Sequence, residues 1–148
     1  MSVLTSQDSG ITREEAESAR AWVYEMYRLA DTKSVAMVPT FMKEEAVLNF
    51  ASVASLKGRA ALERLFTWEY GACSRIDHSI QEFRVSEKQI VVKLLATYRF
   101  RNGSTQTMKY LAVWHKSPAD NRASRVDIDG DFSGVFQELA AVAGPPPL

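Results

Sequence analysis

His78 is the residue of this sequence best suited to moving protons, and it lies in a stretch with strand-like alternation. Ile76, His78 and Ile80 fall on one side of this stretch, with polar residues between them. Imidazole titrates near neutral pH, so an inward-facing histidine can act as a general acid or base. The alternative is a structural histidine that is hydrogen-bonded to a backbone group in the core. The second histidine, His115, follows Trp114 near the end of a predicted strand, and we expect it to face solvent.

Two aspartates, Asp31 and Asp131, could take part in the same chemistry. A carboxylate enclosed in an apolar cavity has a raised pKa and can exchange protons near neutral pH, which is one role for Asp131. The alternative is that Asp131 binds free N–H groups at the start of a terminal helix, because Ser133 and Gly134 follow it closely. Asp31 lies at the end of the first predicted helix, where the helix dipole disfavours a carboxylate. We therefore expect a buried hydrogen-bonded partner for Asp31.

Four aromatic residues and one asparagine could bind a ring-shaped substrate. Tyr27, Trp68, Tyr98 and Tyr110 combine rigid apolar area with polar tips, which suits contact with a ring system and donation to a carbonyl. Aromatic residues at helical or strand spacing are also common in hydrophobic cores, so a core role is the alternative for each. Asn49 is a polar residue in an apolar run, where it could anchor a substrate oxygen or make a hydrogen bond at a turn.

A pattern like that of a calcium-binding loop is the rival interpretation of the last strand. Asp127, Asp129 and Asp131 alternate along the chain, and Glu138 occupies the twelfth position counted from Asp127, as in loops of the EF-hand type. The sixth position, which needs glycine for a sharp turn, is Phe132, and the segment before Asp127 has the pattern of a strand. We therefore expect no metal site.

The composition is typical of one globular domain, and its charge balance favours an uncharged ligand. The chain has 148 residues, of which 46% are hydrophobic and 24% charged, as in soluble globular proteins. Lys+Arg and Asp+Glu both total 18, so the formal net charge is zero. Nucleic acids and anionic membranes select concentrated positive charge, so we expect neither as a partner. A hydrophobic small molecule is the expected partner.

Cysteine content and apolar runs bear on the compartment and on cofactors. Cys73 is the only cysteine, so it cannot form an internal disulfide or a CxxC pattern. Residues 1–10 contain no basic stretch followed by an apolar one, and no apolar run approaches the ~20 residues of a membrane span. These features predict a cytoplasmic protein. Since no nucleotide, metal or thiol motif is present, we also expect no cofactor.

The elements that must position these residues begin with a helix. Residues 1–10 are polar and lack apolar periodicity, which predicts a flexible N-terminus. Thr12 followed by Glu15 makes a capping-box pattern, and apolar residues recur at helical spacing up to about Asp31. Residues 11–143 are predicted to form a single domain, and the Pro-rich tail 144–148 cannot continue a helix because proline lacks the N–H.

A series of strands follows this helix. Residues 46–50 form a short apolar run, Lys57-Gly58 opens a second helix, and residues 74–81 form the alternating stretch around His78. A last strand at 124–131 precedes a short helix at 134–142. Helices that precede a meander of strands favour an α+β class, with helices on one face of a mostly antiparallel sheet.

The most specific local signal is a β-hairpin. Residues 90–101 and 105–116 are rich in strand-forming residues, and Asn102-Gly103 lies between them. Asn-Gly supplies the two positive-φ residues that a tight hairpin turn requires. Within the first of these strands, the hydrophobic pattern directs Tyr98 inward.

Three short motifs carry a resemblance to a known family. They are Ala30-Asp31-Thr32-Lys33, Ile76-Asp77-His78-Ser79 and the segment 129–136, DGDFSGVF. Together with the element order, they resemble the NTF2-like superfamily, particularly its scytalone dehydratase and SnoaL-like polyketide cyclase branches, over roughly residues 12–140. The resemblance implies a cone-shaped α+β fold, in which helices pack on the concave face of a curved, mostly antiparallel sheet.

The resemblance also implies roles for individual residues. His78 and Asp31 match active-site positions of the dehydratase, and Asp131 falls where superfamily members often place a carboxylate at the pocket. We therefore predict His78, Asp131 and Asp31 as catalytic residues. The tyrosine of the dehydratase is replaced by Ala30, and its second histidine falls near Thr97, so scytalone itself is not the expected substrate. That alignment directs Thr97 inward in place of Tyr98; we favour Tyr98.

Two functions remain open at this stage. The first is a cofactor-independent lyase, isomerase or cyclase that uses general acid–base catalysis on a polyketide- or terpenoid-like molecule in secondary-metabolite biosynthesis. The second is a non-catalytic protein-association or ligand-binding module, with an exposed apolar patch on the outer face of its sheet and a pocket filled by side chains. A homodimer is compatible with both functions, so pocket volume is the feature that separates them.

Overall fold

The computed structural model describes residues 4–148, in which four helices cover the concave face of a curved, unclosed seven-stranded sheet. The elements in chain order are β1 (Leu4–Gln7), α1 (Arg13–Asp31), α2 (Met37–Phe41), β2 (Met42–Phe50), β3 (Ala54–Lys57), α3 (Arg59–Ala72), β4 (Cys73–Val85), β5 (Gln89–Phe100), β6 (Thr105–His115), β7 (Ala123–Asp129) and α4 (Ser133–Ala143). The predicted α+β, cone-shaped class is confirmed. None of the helices in this part of the chain is long and apolar enough to cross a membrane.

The sheet is mostly antiparallel, as predicted. Its strands are ordered β1-β4-β5-β6-β7-β2-β3, and only the pairs β1–β4 and β2–β7 are parallel. The register of β4 against β5 shifts between Cys73 and Arg75 and again between Ile80 and Glu82. Irregularities of this kind bend a strand and increase its local twist. The sheet therefore curves around the side chains that face the helices.

Helix α1 begins with the predicted capping box. The Thr12 side chain accepts a hydrogen bond from the Glu15 N–H at 3.1 Å, and the Glu15 side chain accepts one from the Thr12 N–H at 2.9 Å. One face of the helix carries its buried residues, which include Val23, Tyr27 and Ala30. This face packs against the concave side of the sheet and brings Tyr27 into the interior.

The β5–β6 hairpin is confirmed, but its turn differs from the predicted one. The strands pair from Gln89↔His115 to Arg99↔Thr105. Residues 101–104 form the connection, and within it only Gly103 has a positive φ, of 91°. Asn102 instead accepts a hydrogen bond from the Ser104 N–H through its side-chain oxygen. A four-residue loop held by this side chain replaces the tight turn with two positive-φ residues.

Strand β5 shows which hairpin face points inward. Every second residue from Ile90 to Phe100 is buried, and Tyr98 is only 3% exposed. Thr97 lies on the other face, with its hydroxyl 3.2 Å from the hydroxyl of Thr107. The preference for Tyr98 as the inward residue is confirmed.

The N-terminal prediction is wrong for residues 4–7. Leu4–Gln7 form an edge strand that pairs in parallel with residues 82–85 of β4. This pairing joins segments far apart in the sequence, so a local search for apolar periodicity does not detect it. Residues 1–3 of the predicted flexible segment lie outside the described residues.

Two short elements between α1 and α3 were not predicted. Helix α2 spans five residues and strand β3 spans four, and both are too short to show a periodic pattern in the sequence. Strand β2 begins at Met42, before the predicted start at Ala46. Residues 43–45 are three consecutive exposed charged residues, so the apolar run that predicted the strand starts only at Ala46. The predicted opening of α3 is confirmed, with Gly58 at a φ of 90° directly before it.

Gly130 lies at the junction between β7 and α4, where the chain passes close to the cavity wall. A Cβ atom at this position would lie 2.9 Å from the Tyr110 Cβ and 3.3 Å from the Phe132 ring. The absence of a side chain therefore lets the chain approach Tyr110 and seat Phe132 in the core, where it is 2% exposed.

We expect Gly130→Ala to destabilise the protein by about 1–3 kcal/mol, because the added methyl group overpacks the contact with Tyr110. Gly71→Ala is the matched control. Gly71 is helical, and no atom lies within 4 Å of the point that a Cβ would occupy, so the same substitution should stabilise α3 by up to about 1 kcal/mol. Urea unfolding of both variants measures the two effects, and equal shifts of the same sign would contradict this account.

Candidate active site

A small cavity lies between the helices and the concave face of the sheet. Its volume is about 40 Å³, which is room for one or two water molecules. The side chains around it are mainly apolar and aromatic. The polar side chains that line it are Tyr27 on α1, Glu69 and Tyr70 on α3, His78 on β4, Tyr98 on β5 and Tyr110 on β6.

His78 is held by Asp31 at the end of α1. The His78 Nδ1 lies 2.6 Å from the Asp31 Oδ1, and the His78 backbone N–H donates to the same oxygen at 3.0 Å. With the Asp31 carboxyl ionised, Nδ1 carries the proton, and the lone pair is on Nε2. The His78 side chain is 8% exposed and that of Asp31 is 30% exposed. The expected buried partner of Asp31 is therefore His78.

The tyrosines of the cavity are neutral hydrogen-bond donors. Burial raises the pKa of Tyr27, Tyr70, Tyr98 and Tyr110 above the ordinary value for a phenol. The Tyr27 hydroxyl accepts a hydrogen bond from the Trp114 Nε1–H at 3.2 Å, which leaves its own proton free to donate. The Tyr27 and His78 rings lie side by side, with centroids 5.1 Å apart. These phenols can therefore bind a ligand oxygen without ionising.

Glu69 is a cavity residue that the sequence analysis did not select. It is 7% exposed and lies among apolar and aromatic side chains. Its carboxyl makes no hydrogen bond to any of residues 4–148, and burial raises its pKa to about 7. The sequence does contain a signal, because Glu69 continues the helical spacing of Leu62 and Leu65, the inner face of α3. A glutamate at such a position is rare, however, so the apolar members dominate the pattern.

The predicted enclosure of the Asp131 carboxylate in an apolar cavity is wrong. Asp131 is exposed and does not line the cavity. Its Oδ1 accepts hydrogen bonds from the Ser133 N–H at 3.1 Å and the Ser133 hydroxyl at 2.6 Å. These hydrogen bonds lower the pKa of Asp131, whereas the proposed chemistry needs a raised one. The alternative role, at the start of the terminal helix, is the one the structure contains.

Asn49 also lies away from the cavity, on the outer face of the sheet. Its side-chain N–H donates to Asp127 Oδ1 at 2.8 Å, and its oxygen accepts from the Ser55 hydroxyl at 2.7 Å. Asp127 Oδ2 lies 2.9 Å from His115 Nε2. Asn49 therefore belongs to an outer-face network and cannot anchor a ligand in the cavity, and His115 is part of the same network with a side chain 30% exposed.

Trp68 is the remaining predicted binding residue, and it does not line the cavity either. Its Nε1–H donates to the Gly144 carbonyl at 3.0 Å, and its ring lies 5.7 Å from that of Phe136 on α4. Trp68 therefore connects α3 to the end of α4. The predicted set thus divides, since Tyr27, His78, Tyr98 and Tyr110 meet at the cavity and Asp31 reaches it through His78.

The residues of the calcium-loop pattern do not form a loop. Asp127 lies within β7, and Arg125, Asn49 and His115 contact its carboxylate. Glu138 Oε1 accepts hydrogen bonds from the side chains of Asn102 and Ser104. Asp127 and Asp129 therefore lie in a strand, as the pattern before Asp127 predicted, and not in a calcium-binding loop.

The comparisons with known proteins identify one family by its sequence model and the same fold in solved structures. The sequence model of the SnoaL-like domain matches residues 23–126. A candidate polyketide cyclase from Bacillus cereus is similar over 97% of this chain and 94% of its own, with a TM-score of 0.76 and 15% identity. A candidate SnoaL-like polyketide cyclase from Jannaschia is similar over 94% of this chain and 98% of its own, with a TM-score of 0.68 and 15% identity.

An LEH-like epoxide hydrolase from M. tuberculosis is similar over 85% of this chain and 92% of its own, with a TM-score of 0.68 and 11% identity. At such identities the similarity concerns the fold. No curated protein sequence matches the chain.

Glu69→Gln should stabilise the protein in a pH-dependent way. The folded-state pKa of Glu69 is about 7, above the ordinary value of 4.5, so the folded state resists ionisation of this carboxyl. The resulting penalty begins as the pH rises past the unfolded-state pKa and is complete above the folded-state pKa. It amounts to about 3 kcal/mol, which the neutral glutamine removes.

The measurement is urea unfolding of wild type and Glu69→Gln at about pH 4 and about pH 8. The variant should gain stability relative to wild type only at the higher pH. Glu63→Gln, a half-buried glutamate of the same helix that does not line the cavity, is the control and should show no such change. A constant difference between wild type and Glu69→Gln at both pH values would contradict the raised pKa.

Proposed function

The chain belongs to the SnoaL-like domain family, as its sequence motifs suggested, and we propose that it catalyses a cofactor-independent proton-transfer reaction on a hydrophobic small molecule. The reaction is an isomerisation, dehydration or cyclisation of a polyketide- or terpenoid-like compound. The observation that carries this proposal is the Asp31–His78 pair, whose ring faces an apolar cavity lined by neutral tyrosines.

In this proposal, His78 is the general base and Asp31 is a positioning residue. Asp31 binds the proton on Nδ1, so Nε2 presents its lone pair to the substrate and the imidazolium that forms is stabilised. The phenols of Tyr98 and Tyr110 donate to an oxygen on which negative charge develops. The apolar lining excludes water, which strengthens each of these interactions.

His78→Ala should lower kcat by about 100-fold or more, because proton transfer loses its base. His115→Ala is the matched control, since the second histidine lies on the outer face, and its rate should stay within about threefold of wild type. Conversion of a panel of aromatic polyketides and terpenoids, followed by mass spectrometry, identifies a substrate and gives both rates. Wild-type turnover in His78→Ala would overturn the proposal.

Asp31→Asn tests whether Asp31 positions the His78 proton or only supports the fold. An amide at this position can donate to Nδ1, which would leave the proton on Nε2 and the base in the wrong tautomer. We expect a loss of kcat with a changed pH profile of kcat/KM, while circular dichroism stays that of the wild type. An unchanged pH profile and rate would remove Asp31 from the mechanism.

A second function, that of a non-catalytic association module, is favoured by two observations. The cavity of about 40 Å³ is too small for a ring-shaped ligand unless its walls move apart. The outer face of the sheet carries an open groove of about 440 Å³ whose lining includes Lys93, Lys109, Leu111 and Asp129. In this second proposal the groove binds another protein surface, and a second copy of the chain is the first partner to test.

Leu111→Arg tests the second function, because Leu111 lies between Lys93 and Asp129 in the register of the outer face. If the groove mediates association, sedimentation velocity should show a dimer for wild type and for His78→Ala, but a monomer for Leu111→Arg. A wild-type chain that is monomeric at all concentrations, or a variant that dimerises normally, would contradict self-association through this groove.

A further inference from the structure

The Glu69 carboxyl is the one acidic group that faces the cavity without a partner among residues 4–148. Glu69 is only 7% exposed, and its unpaired carboxyl oxygens keep some accessible surface, because no fully buried side-chain oxygen of the described residues lacks a hydrogen-bond partner. Withdrawing most of a carboxyl from water without a hydrogen bond lowers stability. Glu69 also lies in the last turn of α3, where the helix dipole disfavours negative charge. The fold therefore keeps a destabilising group at this position, which indicates a role in binding a ligand.

Two basic side chains hydrogen-bond to backbone carbonyls near the C-terminal end of α3. Lys33 Nζ donates to the Cys73 carbonyl, and Arg101 Nε donates to the Gly71 carbonyl, at the C-terminal end of α3. Neither one forms an ion pair with Glu69. The remaining titratable side chains of the cavity are the phenols of Tyr27, Tyr70, Tyr98 and Tyr110 and the imidazole of His78. These surroundings favour the neutral, protonated carboxyl, which is a hydrogen-bond donor.

We propose that Glu69 is a ligand-binding group that donates a hydrogen bond from its protonated carboxyl to the carbonyl oxygen of an uncharged cyclic or aromatic ketone. This inference rests on the proposed function, because it names the substrate class and gives His78 an acid partner at the same cavity. His78 and Glu69 act as base and acid in the same reaction. The C–H bond next to the carbonyl breaks, its proton passes to His78 Nε2, and the oxygen of the resulting enol takes its proton from Glu69.

The chemistry of the cavity selects a ketone over charged ligands. A carboxylate ligand would need a cation, and the cavity lining contains no lysine or arginine among the described residues. A hydrocarbon would leave Glu69 and the phenols unpaired. An ammonium ion would pair with ionised Glu69 and contact the aromatic rings, so it is the competing ligand class that the experiment must separate.

The experiment measures binding of three single-ring probes of similar shape to the full chain: acetophenone, ethylbenzene and 1-phenylethylamine. At about pH 6 wild type should bind acetophenone about tenfold more tightly than ethylbenzene, the effect of one hydrogen bond. Glu69→Gln keeps a donor and should keep this preference, whereas Glu69→Leu should lose it. At about pH 9 wild type should lose the preference as Glu69 ionises, and Glu69→Gln should not.

Two further variants make every outcome informative. Phe66→Ala enlarges the cavity by removing a half-buried ring from its lining, so the comparison can be repeated where ring-sized probes have space. Glu63→Leu changes the same residue type on the same helix outside the cavity, and it should keep the ketone preference.

Several results would overturn the inference. They are equal affinity for acetophenone and ethylbenzene at about pH 6, a preference that persists in Glu69→Leu, tightest binding of the amine, or no binding of any probe even in Phe66→Ala. These outcomes are distinct from failure of the proposed function. If the ketone preference is lost but His78→Ala has a strong rate defect, only the role of Glu69 is contradicted. If His78→Ala has a normal rate and the ketone preference is intact, the catalytic proposal is contradicted and the binding role of Glu69 stands.

Discussion

The hydrogen bonds between Asp31 and His78 join the end of the first helix to the middle of strand β4. The two residues are 47 positions apart, and Asp31 Oδ1 contacts both the ring Nδ1 and the backbone N–H of His78. Since α1 ends at Asp31 and His78 lies within β4, this contact positions the C-terminal half of α1 over the concave face. Tyr27, one turn earlier, is thereby placed beside the His78 ring. The pair also gives a partner to a carboxylate that the helix dipole would otherwise disfavour.

The two acidic side chains at the cavity differ because their surroundings differ. Asp31 Oδ1 accepts the His78 backbone N–H and lies 2.6 Å from the His78 Nδ1, and the Asp31 side chain is 30% exposed. Glu69 has no such partner and is surrounded by apolar and phenolic groups, which suits a neutral carboxyl. In the proposed reaction, His78 on β4 is the base and Glu69 on α3 is the acid.

Local patterns predicted those parts of the fold that depend on neighbouring residues. The capping box at Thr12, the β5–β6 hairpin and the inward direction of Tyr98 all follow from spacings within a few residues. The β1 strand was missed because its partner, residues 82–85, is distant in sequence. Asp131 was misplaced because a strand-end pattern does not show to which side the chain turns after β7, and its carboxylate turns toward Ser133.

The site was predictable only where residue type and periodicity agreed. His78 shares its strand face with apolar neighbours, so a single pattern indicated its inward direction. Glu69 has the periodicity of a core residue but the charge of a surface residue, and only the packed structure decides between the two. The pairing of His78 with Asp31 depends on the crossing of α1 over β4. The resemblance assigned both residues to active-site positions but did not predict this contact.

The small volume of the cavity limits how a ligand could bind. A volume of about 40 Å³ is far below that of a single aromatic ring with its substituents, so a ring-sized ligand would bind only if the lining side chains moved. Phe66 is half-buried and lies 5.7 Å from the Tyr70 ring, next to Glu69 on the same helix. A displacement of this aromatic pair would open the cavity at the wall that carries the unpaired carboxyl. Access and recognition would then occur on the same face of α3, opposite the strand that carries His78.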